Sequence, residues 1–151
     1  MPKPVSEQVV VITGASSGIG REAALRFARQ GASVVLTARN AEALRTVESE
    51  ITAEGGRAMA IPADVADFAQ VQRVAQGAVE RFGRIDTWVN NAAVATYGNF
   101  EDIPPDEFKR VFDVNVMGQV HGARAALLHL KASRGTLIGI GSVLSEVPMP
   151  L

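Results

Sequence analysis

The sequence predicts an α/β fold built on a doubly wound parallel sheet, and three observations predict it. Short β-branched runs recur without polar alternation, as strands covered on both faces require. Segments of helical period stand between them, and the connections are short. Strand alternating with helix in this way is the pattern of right-handed βαβ units, whose ligands sit at the carboxyl ends of the strands.

The first strand is predicted over Gln8 to Thr13 (QVVVIT), and the helix after it carries Ile19, Ala23, Phe27 and Ala28 on its core face before stopping at Gly31. Ser33 to Ala38 (SVVLTA) gives the second strand. Asn40 is a candidate N-cap for a helix with Leu44, Val47 and Ile51 on one face, ending at Gly55 and Gly56. The third strand is Arg57 to Pro62. Asp67 with Gln70 three residues later forms a capping pair, opening a helix whose apolar face is Phe68, Val71, Val74, Ala75, Ala78, Val79 and Phe82, with Gly83 as its stop. Ile85 to Asn90 (IDTWVN) is the fourth strand. Residues 105–131 read as one long helix entered through PPDE, whose acids suit the positive end of the helix dipole. Gly135 to Gly141 (GTLIGIG) is the fifth strand.

At 151 residues and 47% hydrophobic, the chain has the length of one domain with a sizeable core. Fifteen basic and sixteen acidic residues leave a formal net charge of −1, so no overall field gathers nucleic acid or an anionic membrane. Cysteine is absent, which removes disulfides, thiolate nucleophiles and cysteine-ligated zinc. The polar start MPKPVSEQ lacks the apolar run of a secretory signal, and no stretch approaches about 18 uninterrupted apolar residues. The expectation is a cytoplasmic protein without a membrane span.

After the first strand comes TGASSGIG, Thr13 to Gly20. Glycines 14, 18 and 20 permit a tight turn, close approach of a ligand to the backbone and close packing of helix on sheet, and the helix start offers N–H groups to a pyrophosphate. Taken alone, a glycine-rich turn can also be merely a tight strand-to-helix connection, but the strand before it and the helix after it argue against that reading. The second strand exits into Ala38 and Arg39. An arginine there can pair with the 2′-phosphate of NADP where a carboxylate would repel it, or can be a solvated surface residue.

Five motifs in order now carry a resemblance: TGASSGIG, then DV at Asp64 and Val65, NNAA at Asn90 to Ala93, Asn115 within a helix, and Ser142 after the fifth strand. Together they resemble the classical short-chain dehydrogenase/reductase family from about residue 8 onward. The resemblance implies a Rossmann-type dinucleotide-binding domain over residues 1–151, C-terminally incomplete. It implies cofactor contacts at Gly14, Ser16, Ser17, Gly18, Ile19, Gly20, Arg39, Asp64, Val65, Asn91, Ala92 and Ala93, with Asn90 mainly structural. Asp64 and the N–H of Val65 are implied to hold the adenine edge, Asn115 a water of the proton relay, and Ser142 the substrate oxygen. Ala93 stands where the family usually has glycine, Gly141 where it often has serine, and Ser17 adds no second basic residue for a 2′-phosphate.

Carbonyl reduction needs a proton donor within hydrogen-bond reach, and the family uses a tyrosine whose pKa is lowered by a lysine four residues later. Bringing a tyrosine from about 10 to about 7 takes roughly 4 kcal/mol of electrostatic help. No Tyr-x-x-x-Lys occurs here: the one tyrosine is Tyr97, and the lysines are Lys3, Lys109 and Lys131. The chain is therefore expected to be the N-terminal, cofactor-binding portion of an NADP-dependent oxidoreductase acting on a small alcohol or carbonyl substrate, and to be inactive alone. The rival expectation is an inert nucleotide-binding or assembly module. A Rossmann-like methyltransferase is disfavoured by Arg39 and Ser142. No metal is expected, since His121 and His129 lack the spacing of helical zinc ligands. The 105–131 helix is apolar on more than one side, which predicts a homo-oligomer through it, as the family often forms. The fifth strand is expected to expose an apolar edge from Leu137 to Gly141.

Overall fold

A computed structural model describes residues 3–142 of the chain. Their elements run β1 Val9–Thr13, α1 Gly18–Arg29, β2 Ser33–Thr37, α2 Ala41–Ala53, β3 Arg57–Ala60, α3 Phe68–Phe82, β4 Thr87–Asn90, α4 Pro105–Phe112, a π-helical stretch Asp113–Met117, α5 Gly118–Ser133 and β5 Thr136–Gly139. Short 3₁₀ turns stand at Val5–Glu7 and Phe100–Asp102. The five strands form one parallel sheet in the order β3-β2-β1-β4-β5. The order reverses between β1 and β4, where an open α/β sheet places its ligand crevice.

Burial follows position in the sheet. Every residue of β1, β2 and β4 is buried, whereas β3 is partly covered and β5 largely exposed, as befits the two margins. Successive side chains serve opposite faces. Val10, Ile12, Val34 and Leu36 pack with Ala24, Leu25, Leu44 and Val47 on the α1–α2 side, and Val11, Val35 and Trp88 pack with Val71, Val74, Ala126 and Leu130 on the α3–α5 side. The expected apolar margin is present: β5 pairs only with β4 among the described residues, and Leu137 is 45% exposed.

Local signals hold where they were clearest. The Asn40 side chain accepts from the N–H groups of Glu42 and Ala43, Asp67 accepts from that of Gln70, and the Gln70 amide donates back to Asp67. Two expectations are corrected. Residues 105–131 are not one regular α-helix: the stretch Asp113–Met117 has π geometry and separates α4 from α5, which runs on to Ser133. Single π turns of this kind are often found at functional sites, and Asn115 lies within this one. Ile19 does not pack on the sheet; it is 71% exposed, and α1 buries Gly20, Ala24, Leu25 and Ala28 instead. Its place in the first turn, against the sheet's carboxyl edge, turns it toward the crevice.

Candidate functional site

At the carboxyl ends of the strands lies a cleft of about 600 Å³, within the range of small-molecule sites. The turn after β1, the exits of β2 and β3, the loop after β4, and α4 with the π stretch together wall it. Of the residues expected to touch a cofactor, Gly14, Ser16, Ser17, Ile19, Arg39, Asp64, Val65, Asn91, Ala92 and Ala93 line it. Gly18, Gly20, Asn115 and Ser142 do not.

Gly20 acts by shape. A Cβ there would meet the Gly14 carbonyl oxygen at 2.2 Å and the Asn91 amide nitrogen at 2.5 Å, so only glycine lets α1 approach the turn this closely. Gly14 combines φ +68° with milder crowding, a Cβ falling 2.9 Å from Ala92 Cα. Behind the turn, Thr13 Oγ1 accepts from the N–H groups of Asn91 (2.9 Å) and Ala92 (3.0 Å), while the Asn91 amide donates to the carbonyls of Thr13 and Gly14. The exits of β1 and β4 are thereby laced together. Ser17, the N-cap of α1, makes no capping bond with its side chain, so it does not take up the N–H groups of the first turn, which have no partner within the helix.

The charges are two arginines against one carboxylate. Arg39 leaves β2 exposed and forms no ion pair among the described residues, whereas Arg110 of α4 pairs with Asp64, 2.9 Å from Nη2 to Oδ2. Asp64 Oδ1 also accepts from the N–H of Ala66, and the Val65 N–H donates to no group among the described residues. Arg110, like Asn40, Val94 and Val114, was missed as a lining residue by sequence reasoning; α4 returning over the loop after β3 carries no local signal. Among the described residues, no group of three or more histidine, aspartate or glutamate side chains is arranged to hold a metal.

The asparagines divide as follows. Asn90 is 4% exposed, accepts from Trp88 Nε1 and donates to the Gln119 carbonyl. Asn115 bonds both ways with the backbone of Val94: its Oδ1 accepts from the N–H at 2.9 Å and its Nδ2 donates to the carbonyl at 2.8 Å. That pair ties the π stretch to the loop after β4. Ser142 is exposed just past β5, where Ile140 N–H still bonds the Asn90 carbonyl. Tyr97 is 83% exposed and lies outside the cleft wall.

A profile of the short chain dehydrogenase family matches residues 8–151. The chain belongs to that family. The chain is 46% identical over 146 residues to YxnA, an uncharacterized oxidoreductase of Bacillus subtilis, covering 95% of the present chain and 41% of YxnA. It superposes with a TM-score of 0.90 on a metagenomic short-chain oxidoreductase in complex with NADP, at 37% identity over 97% of this chain and 67% of the other. The same score relates it to an alcohol dehydrogenase of the archaeon Thermococcus sibiricus complexed with 5-hydroxy-NADP, at 32% identity over 95% and 61% of the two chains. The chain thus spans about two fifths to three fifths of the length of these curated relatives. The family is one of NAD(P)-using oxidoreductases, and no helix among the described residues is long and apolar enough to cross a membrane.

Proposed function

We propose that this short-chain dehydrogenase uses NADP(H) to interconvert a small alcohol and its carbonyl compound, and that the residues described carry the cofactor half of that reaction. One observation carries the choice of NADP over NAD: among the described residues, Arg39 stands at the cleft's β2 corner without an acidic partner, and the one carboxylate lining the cleft, Asp64, is paired with Arg110. The turn fits a dinucleotide phosphate because Gly14 and Gly20 let the turn and α1 pack closer than any Cβ would allow, and the Ser17 side chain leaves the first-turn N–H groups to a ligand.

In this reading Arg39 grips the 2′-phosphate and the backbone from Ser16 to Gly20 cradles the pyrophosphate. Asp64 and the unpartnered Val65 N–H take the adenine edge, and Asn91, Ala92 and Ala93 wall the nucleotide. Bound there, the cofactor supplies or accepts hydride. Ser142 orients the substrate oxygen, and Asn115, with one N–H and one lone pair beyond those spent on Val94, holds a water of the proton path. The reading also includes a cytoplasmic location, a single domain over residues 1–151, and a homo-oligomer joined through the α4–α5 face, where Phe112, Val116, Val120 and Leu128 are exposed.

The proton donor is the weak point of the chain taken alone. Its single tyrosine, Tyr97, is followed four residues later by Glu101 and not by lysine. We therefore expect binding without turnover, because losing a positioned acid typically costs about 10²- to 10⁴-fold in rate. Two measurements test the proposal. Calorimetry should show NADPH binding more tightly than NADH, with Arg39→Gln removing roughly tenfold to a hundredfold of that preference, the scale of a charge-assisted hydrogen bond; equal affinities in the parent chain would sink the NADP assignment. NADPH oxidation across a carbonyl panel should appear only in a chain extended to the relatives' full length, and its absence there would refute the reaction.

A further inference from the structure

We propose that His121 is a positioning residue for the adenine end of the cleft, acting through the peptide between Val65 and Ala66. The inference rests on the cofactor reading above and adds to it a residue outside the cleft wall. The loop from Asp64 to Asp67 carries the two groups that the cofactor reading assigns to the adenine edge, the Asp64 carboxylate and the Val65 N–H, and both residues line the cleft. Its next peptide is pinned at both ends. The Ala66 N–H donates to Asp64 Oδ1 at 3.0 Å, and the Val65 carbonyl lies 2.8 Å from His121 Nδ1 on α5. A carbonyl only accepts, so Nδ1 carries the proton.

The approach of α5 makes this bond possible. Gly118, one turn before His121, lies so close that a Cβ would come 2.8 Å from Val65 Cγ2. The imidazole is steadied by the Phe68 ring, 5.4 Å away between centroids. With the peptide fixed, rotation of the loop is blocked and the Val65 N–H stays directed into the cleft. Arg110 completes the arrangement from α4 by holding the Asp64 carboxylate.

The test compares His121→Leu with His121→Asn. These side chains have nearly the same shape, but only asparagine keeps a donor at the δ position, so the pair isolates the hydrogen bond from loss of the ring. Affinities for NADPH and for adenosine 2′,5′-bisphosphate are measured by calorimetry on the 151-residue chain. The leucine variant is expected to weaken both ligands by the same factor, about three- to tenfold, as one net hydrogen bond implies. The asparagine variant should stay within about twofold of the parent. Equal weakening by leucine and asparagine, or no weakening by leucine, overturns the proposal. Should the leucine variant not fold, His121→Gln replaces it, since its donor lies one bond too far and must weaken binding in the same way. A parent chain that binds neither ligand refutes the cofactor reading itself, a result distinct from parent binding with an indifferent leucine variant.

Discussion

Asn115 shows how one polar side chain can fix the shape of a distant loop. Its amide satisfies both backbone groups of Val94, a residue of the cleft wall, so the loop after β4 takes its shape from the π stretch. Asn115→Leu keeps the volume and removes both partners. Leaving part-buried backbone groups unpaired is expected to cost about 1–3 kcal/mol, measured as a lower midpoint in urea; an unchanged midpoint would show that the loop holds its shape without Asn115. Arg39 is the opposite case, an exposed side chain at the cleft that forms no ion pair among the described residues. Its substitution should alter cofactor preference and leave stability untouched.

At the scale of elements, α3 is the helix best specified by its own sequence. Its Asp67 carboxyl is held below the usual aspartate range, first by the Gln70 side-chain amide and then by the Gln70 backbone N–H. A carboxyl lowered in the folded state lends stability above its unfolded pKa and loses it as pH falls through the folded value. The parent chain should therefore lose its margin over Asp67→Asn as pH is lowered through the aspartate range. Melting curves across acid pH check this, and a constant margin would show that the capping bond does not depend on charge. The helical span from α4 to α5 is the reverse case. Its π stretch depends on what each side meets, Asn115 on Val94 and Gly118 on Val65.

Across the whole molecule, coverage is uneven. The α1, α2 and α3 faces pack on the sheet, but α4, the π stretch and α5 leave Phe108, Phe112, Val116, Val120, Leu127 and Leu128 substantially exposed, and β5 exposes Leu137. Such a stripe on a helix already seated on the sheet is suited to a second copy of the chain. Phe112→Glu is expected to shift the protein from oligomer to monomer in sedimentation equilibrium without changing NADPH affinity. A parent chain that sediments as a monomer at all concentrations would refute the assembly through this face.

The sequence by itself determined the order of strands and helices, the caps at Asn40 and Asp67, and that the exits of the strands would wall the cleft. All of these follow from local period, turn chemistry and the rule that parallel sheets present their ligands at strand ends. Tertiary structure alone decided that Arg110 meets Asp64, that His121 reaches the Val65 carbonyl, that Asn115 spends its amide on Val94, and that Ile19 faces the cleft. These pairings join residues far apart in the chain or depend on a helix's rotation about its axis. Helical period reveals that a face is apolar, but which loop lies opposite a polar residue is fixed only when the sheet, its crossovers and the π stretch set the approach.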